Sequence, residues 1–425
     1  MNNRLVAAIG RATESVRANN LAEGLRHIQG ALSPRDRDRG HASGPGPSAA
    51  DTIGDSAARL IDGEVVGRGQ AGLSSTRGSA GDFQSAQPGP SHRRRTPLPE
   101  VLGILGRGLS ADAFRTLPGG HGRVGVPPIP EGAQFVERTF SCPAGSRTYK
   151  IYIPSALVQG RKASGLIVML HGCTQNPDDF AAGTKMNDEG ELHGLVVAYP
   201  CQPSSANPTS CWSWFNPAHQ DRAAGEPAII AGITQVLSAE FDLDRDRVFV
   251  AGLSAGGAMA VVMGATYPDL YSAIGVHSGL PYRAANDVVT AFAAMRGDLD
   301  AAVAISSSRA ESDAGLSVRT IVFHGSADRT VDPANADRII AAAAARHNAS
   351  SSSKDRGSEK GRTYIRITFA GADGCPAVEY WRVQDSGHAW SGGGPGGSFA
   401  DRLGPNASAE MVRFFLSLAS AAEHP

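Results

Sequence analysis

RVFVAGLSAGGAMAVVMG, residues 247–264, is the stretch on which the reading of this chain turns. Val248, Phe249 and Val250 make a short apolar run of the kind that fills a buried strand, and residues 257–264 suit a helix packed on all sides. Between them stands Gly252-Leu253-Ser254-Ala255-Gly256, a G-x-S-x-G turn. A serine raised clear of a sheet edge needs so tight a turn that the residues two before and two after it carry no side chain. The pentapeptide alone says little in a chain with 51 glycines, where a plain Gly/Ser turn is the bland alternative. A strand before it and a helix after it are the context that nucleophilic chemistry requires, so Ser254 is the expected nucleophile.

Partners follow in order along the chain. Val318–Phe323 reads as a buried strand, and the loop HGSADRTVDP (324–333) leaves its end. Asp328 in that loop is the expected acid, able to hold an imidazole in one tautomer; Asp332 is its rival. Ser386-Gly387-His388-Ala389-Trp390 follows the strand-like 378–383 and supplies the expected base, His388. Serine, then aspartate, then histidine is the order found in the α/β-hydrolase fold, and differs from the orders of trypsin-like and subtilisin-like proteases. Gly165–Leu170 forms a further apolar strand ending in His171-Gly172-Cys173-Thr174-Gln175. In such folds the oxyanion is held by two backbone amides, which assigns the N–H groups of Cys173 and Ala255. Loss of one such donor typically costs ~3 kcal/mol of transition-state stabilisation.

These residues carry a resemblance. The segments HGCTQNPDDFAAGTKMN (171–187), CWSWFNPAHQ (211–220), GEPAIIAGI (225–233), VFVAGLSAGGAM (248–259), YPDLYSAIGVHSGLPY (267–282), FHGSADRTV (323–331) and GHAWSGG (387–393) together resemble the poly(3-hydroxybutyrate) depolymerase family of esterases, over roughly residues 133–420. That family also takes in feruloyl and acetyl-xylan esterase-like members. The resemblance implies a serine esterase on the α/β-hydrolase fold, acting on poly- or oligo(3-hydroxyalkanoate) or on a related carboxylic ester. Ser391 departs from the family pattern, which has proline there, and this touches only the stiffness of the loop. Cys173 and Cys211 both fall in family motifs; a bridge between them is open in an oxidising compartment, while a reducing one leaves thiols. Cys201 is a competing partner for Cys211, and Cys142 and Cys375 read as small buried residues.

The surroundings of the site are read more loosely. Trp212, Trp214 and Trp390 are expected to line a substrate pocket, with His277 and Ser278 beside them, although packing in the core is the competing reading for each. His171 and His324 end strands in His-Gly turns and are expected to be structural hydrogen-bonders. Glu226 opens a helix, where a carboxylate suits the dipole. The expected chemistry is two-step acyl transfer, with activity falling on acidification as the imidazole base protonates (reference value about 6.5).

Composition sets the outer limits. Net charge is −1, so no global field recruits nucleic acid, and no apolar run approaches the ~20 residues that span a bilayer. The first residues lack the long apolar core of a secretory signal, which points to the cytoplasm; the family's secreted members keep export open. No cofactor or metal is expected: the G-x-G-x-x-G at 67–72 has no strand–turn–helix context, and no ligand spacing suggests zinc.

Four zones divide the chain of 425 residues. Residues 1–33 have apolar positions at helical spacing and predict a helical hairpin; it could rest on the core or bind a granule surface, a membrane surface or a protein. Residues 34–97 have the composition of a disordered linker, and 98–132 form a lead-in segment. From 133 to 421, strands alternate with helices, predicting an α/β domain with a mostly parallel sheet covered on both faces. Expected strands are 134–140, 148–153, 166–170, 195–199, 247–251, 272–276, 319–323, 364–369 and 378–383; expected helices are 226–240, 256–266, 286–296, 333–346 and 406–420. Two other readings compete with the esterase: a serine peptidase on the same fold, and a scaffold without catalysis, kept alive by the N-terminal hairpin.

Overall fold

Strict alternation of side chains along the inner strands sets the architecture. In the computed structural model, residues 125, 127–298, 317–349, 351–372 and 374–417 are described. All belong to the second of the two units into which the chain divides, Met1–Pro90 and Ser91–Pro425. The expected hairpin (1–33), the linker (34–97) and most of the lead-in segment (98–124 and 126) lie outside the described residues.

The strands are β1 (Gln134–Cys142), β2 (Gly145–Ile153), β3 (Gly165–Leu170), β4 (Leu195–Pro200), β5 (Val248–Leu253), β6 (Ala273–His277), β7 (Arg319–Gly325), β8 (Ser351–Glu359), β9 (Arg362–Ala370) and β10 (Pro376–Val383). They form one ten-stranded sheet in the order β1-β2-β4-β3-β5-β6-β7-β10-β9-β8. The middle run from β4 to β10 is parallel, and antiparallel pairs flank it on either side.

Leu166, Val168, Leu170, Val248, Val250, Ile274, Val276 and Val322 enter one buried cluster; Ile167, Met169, Phe249, Ala251, Leu253, Ile321 and Phe323 enter another. Odd and even positions thus feed opposite faces, which is why these strands read as unbroken apolar runs. The helices are α1 (Ser155–Val158), α2 (Pro177–Thr184), α3 (Met186–His193), α4 (Gly225–Glu240), α5 (Ala255–Thr266), α6 (Val288–Met295), α7 (Ala334–Arg346) and α8 (Ala407–Leu416). Residues of α4, α5 and α7 fill the first cluster, and residues of α2, α3 and α8 fill the second. The sheet is therefore covered on both faces, as expected from sequence.

Helix α6 begins later than the pattern suggests because Asp287 caps it: the Asp287 carboxylate accepts the Thr290 N–H, and the Thr290 hydroxyl accepts the Asp287 N–H. From β3 the chain moves outward to β4 and later returns to β5 on the other side of β3. The strand order reverses there, and a crevice opens between the C-terminal ends of β3 and β5, where sites on such sheets gather.

Candidate active site

Ser254 follows β5 in a conformation few side chains adopt, with φ 58° and ψ −119°. Two close approaches impose it. A Cβ on Gly252 would lie 2.4 Å from the Gly256 carbonyl, and one on Gly256 would lie 1.9 Å from the Leu170 oxygen. The turn is so tight that α5 starts against the end of β3. Backbone strain of this kind costs roughly 1–3 kcal/mol per residue and persists only where surrounding structure enforces it. Here the Ser254 N–H is held by the His277 carbonyl at 2.9 Å, and all of α5 is buried.

Asp328 and His388 meet across 60 residues, with His388 Nδ1 donating to Asp328 Oδ2 at 2.7 Å. A carboxylate can only accept, so the proton sits on Nδ1 and the lone pair of Nε2 is available as a base. The other carboxylate oxygen accepts the N–H groups of Thr330 and Val331, both at 2.9 Å, so Asp328 also shapes its own turn. Burial alone would raise this carboxyl, but attraction to His388 when that ring is protonated, with hydrogen bonds from His324 and His388, outweighs it and holds the group well below the usual carboxylate range. His324 Nε2 donates to the Val331 carbonyl at 2.9 Å and lies 3.4 Å from Asp328 Oδ2. The rival Asp332 is exposed and accepts the N–H of Ala334 at the start of α7.

Ser254, His388 and Cys173 line one hollow, with Gly172, Leu253, Thr330 and Phe399. Which amide of the turn after β3 can serve an anion follows from the bonds already made. The Gly172 N–H is given to Gln175 Oε1 at 2.9 Å, Thr174 N–H to the Thr209 carbonyl at 2.8 Å, and Gln175 N–H to the Gly172 carbonyl at 3.3 Å. Among the described residues, the Cys173 N–H has no protein acceptor. The turn is pinned further by a disulfide between Cys173 and Cys211. The competitor Cys201 takes no part in it, and Cys142 and Cys375 are half-buried rather than buried.

Anchoring of the Cys211 side comes from Gln202. Its N–H reaches His171 Nε2 at 3.0 Å, and its side-chain amide donates to the Cys211 carbonyl at 3.0 Å and to buried Glu226 at 2.6 Å. Glu226 also accepts the Ser213 N–H at 2.7 Å, which gives it a structural role larger than interaction with a helix dipole.

The expected pocket residues are placed otherwise. Trp212, Trp214, Trp390, His277 and Ser278 are all buried, and none lines the hollow at Ser254. Trp390 stacks on His277 at 5.1 Å, meets Phe180 edge-on and donates Nε1–H to Ser408. His277 accepts the Ser391 N–H at 3.0 Å, and burial, with His324 and His388 nearby, lowers its pKa to about 3. Nearness to His388 in sequence suggested a pocket role for Trp390; packing on His277 and Phe180 turns its ring inward instead. His171 and His324 are the structural hydrogen-bonders expected of them, and burial lowers His171 to about 4.

Thr330 and Phe399 were not singled out from sequence, nor were Gln175, Asp179 and Ser398, which form one network. Gln175 Nε2 donates to Asp179 Oδ2 at 3.0 Å and to the Ser398 carbonyl at 3.1 Å, and the Ser398 N–H reaches Asp179 Oδ1 at 2.7 Å. The available signal was the run of five glycines within 392–397, a density that marks close backbone approach. A Cβ on Gly397 would lie 2.4 Å from the Asp179 carbonyl.

A parallel sheet clothed on both faces, with a strained serine turn after β5, defines an α/β-hydrolase. The sequence profile of the family described as esterase PHB depolymerase matches residues 147–359, half of the chain, and the chain belongs to that family. It is 32% identical over 227 residues to poly(3-hydroxyalkanoate) depolymerase C of Paucimonas lemoignei, covering 52% of this chain and 54% of that one. It is likewise 32% identical over 150 residues to feruloyl esterase B of Neurospora crassa, covering 35% and 49%. The chain thus spans about half the length of these curated relatives. Among solved structures, the acetyl xylan esterase from Aspergillus awamori aligns with a TM-score of 0.50 at 22% identity, over 67% of this chain and 98% of that one, a likeness of fold.

Proposed function

We propose that this protein is a serine esterase that hydrolyses carboxylic esters through Ser254, His388 and Asp328, with hydroxyalkanoate oligomers as its substrate class. The observation that carries the reading is the bond of 2.7 Å from His388 to Asp328 beside a hollow that His388 shares with Ser254 and Cys173. In the first step His388 Nε2 takes the Ser254 proton as Oγ attacks the ester carbonyl, and the amides of Cys173 and Ala255 receive the oxyanion. The C–O bond to the alcohol breaks as the imidazolium returns its proton to the leaving oxygen. Water, deprotonated by the same nitrogen, then attacks the acyl-enzyme and releases the acid and free serine. Asp328 stays ionised throughout and stabilises the imidazolium.

The polyester class rests on the family and on the depolymerase relative, which is matched over 52% of this chain; feruloyl and acetyl-xylan esters are the alternatives that the other relatives raise. The Cys173–Cys211 bridge favours an oxidising compartment, and therefore export, over a reducing cytosol. No helix among the described residues is long and apolar enough to cross a membrane.

Initial rates on 3-hydroxybutyrate oligomers, methyl ferulate, an acetylated xylan fragment and a peptide anilide, with Ser254→Ala as the blank, test the proposal. Serine-dependent release from the hydroxybutyrate oligomers above the others is expected. A preference for ferulate or acetyl ester would overturn the substrate class, anilide cleavage would favour a peptidase, and absence of serine-dependent turnover would overturn the enzyme and favour a scaffold.

A further inference from the structure

Phe399 stands in a conformation that its bulk disfavours. Its φ is 50°, in the left-handed region, and the residue is only 7% exposed. Three hydrogen bonds keep it there. The preceding Ser398 is held by its N–H on Asp179 at 2.7 Å and by its carbonyl on Gln175 at 3.1 Å; the Phe399 carbonyl accepts the Trp390 N–H at 2.7 Å. Asp179 is a buried carboxylate, costly to place, and what it accepts are the Ser398 N–H and hydroxyl and the Gln175 amide. The Phe399 ring meets the His388 ring edge-on, with centroids 6.3 Å apart, and both line the hollow with Ser254. Acyl transfer itself calls for no aromatic group at this point.

Resting on the ester reading above, we infer that Phe399 determines specificity for the alcohol half of the substrate. The leaving oxygen must come within hydrogen-bond reach of His388 Nε2 to take its proton. The carbonyl oxygen points to the Cys173 and Ala255 amides. The carbon that bears the leaving oxygen therefore lies against whatever flanks His388, namely Phe399 with Thr330 beside it. A flat, fixed apolar ring there favours a secondary alcohol with a short apolar branch, which is what the hydroxyl carbon of a 3-hydroxyacid presents. A methyl alcohol leaves the ring uncovered.

The test measures kcat/KM in wild type, Phe399→Leu and Phe399→Gly on two series. One keeps the acyl group (acetyl) and varies the alcohol: methanol, isopropanol and the hydroxyl of methyl 3-hydroxybutyrate. The other keeps the alcohol and lengthens the acyl chain. Members of the first series all form the same acyl-enzyme, so their kcat/KM values differ only through binding and acylation. The preference for the branched alcohols over methanol should fall about tenfold in Phe399→Gly and less in Phe399→Leu, while ratios in the acyl series shift less than about twofold. A branched-to-methyl ratio that holds in both variants, or an acyl series that moves as far as the alcohol series, overturns the inference. Should Phe399→Gly fail to fold, Phe399→Leu, which retains most of the volume, decides alone. Absence of Ser254-dependent hydrolysis in wild type would instead overturn the ester reading, an outcome distinct from a flat alcohol ratio.

Discussion

Gln175 accepts the N–H of Gly172 at 2.9 Å and thereby fixes the peptide just before the Cys173 amide. The same side chain donates to Asp179 and Ser398, so it joins the turn after β3 to the loop carrying Phe399. Replacing Gln175 with Ala leaves a buried N–H and a buried carboxylate each short of a partner, which costs about 1–3 kcal/mol per group. Gln175→Ala is expected to lower the melting temperature and to reduce kcat by about 10–100-fold, as misplacement of an oxyanion donor does. Steady-state kinetics beside a thermal melt measure both; an unchanged kcat in a destabilised protein would restrict Gln175 to folding.

Among the described glycines, Gly256 is the one least able to accept a side chain, since a Cβ there meets Leu170 O at 1.9 Å and His171 O at 2.6 Å, both backbone atoms. Gly256→Ala must push α5 away from β3 and move Ser254 with it. Loss of Ser254-dependent turnover by at least about 100-fold is expected, since small misplacements of reacting groups already cost that much. Wild-type rates in a soluble Gly256→Ala protein would contradict the tight turn.

Cys173 and Cys211 are 38 positions apart. Loop-closure entropy for that separation amounts to about 4 kcal/mol. Reduction is expected to lower the melting temperature and to slow ester hydrolysis together, because the bridge holds the residue whose amide is assigned to the oxyanion. The Cys173→Ala/Cys211→Ala double variant keeps the amide and should respond to reductant in neither property. Comparison of melts and rates with and without dithiothreitol checks this.

His171 and His277 are kept neutral by burial, with native values near 4 and 3. Each binds fewer protons folded than unfolded, so its contribution is complete above the unfolded value of ~6.5 and is lost as pH falls toward the native one, at about 1.4 kcal/mol per unit. Asp328 has the opposite origin. Its depressed carboxyl contributes above the unfolded value of ~3.9 and loses that only as pH falls through the native one. Stability should therefore decline between about pH 6.5 and 4 through the histidines. His277→Gln retains an acceptor for the Ser391 N–H and should flatten the slope of melting temperature against pH; an equal slope in both proteins would assign the decline elsewhere.

Asp328 and Asp332 separate cleanly by their partners. Asp328→Asn removes the carboxylate that fixes the His388 tautomer and should reduce kcat by about 10⁴-fold. Asp332→Ala removes an acceptor for the Ala334 N–H at the start of α7 and should cost about 1 kcal/mol of stability with turnover retained. The reverse pattern in matched kinetics would exchange the two assignments.

What could be read in the sequence followed from local necessity. The apolar runs of β3, β5 and β7 are buried on both faces and stand out without any partner being known; the Ser254 turn demands glycines at fixed places. The loops that carry Asp328 and His388 could be located because each follows a buried strand, β7 and β10. The hollow's walls could not. Phe399 lies in a glycine-rich loop with no period, and its position depends on Asp179, 220 positions earlier in sequence and outside any motif of acid–base chemistry. The tryptophans were ambiguous for a related reason: Trp390 lies two positions from His388 along the chain, but side-chain direction is set by packing, of Trp390 on His277 and of Trp212 against His171. β8 escaped notice because SSSKDRGSE has neither an apolar run nor alternation.

That last strand has a consequence of its own. Six of its nine residues in succession are exposed, Ser351 to Arg356, so both of its sides meet water, and what retains it is the backbone ladder to β9 with the exposed Arg366–Asp355 ion pair beside it. Lys354, Asp355 and Arg356 on an outermost strand discourage any second chain from continuing the ladder. Deuterium should enter these amides long before it reaches β3 or β5, since peeling β8 away uncovers almost no oil-like surface. The outer border of the sheet can then breathe, or be trimmed, while the carboxyl ends of the inner strands keep their register.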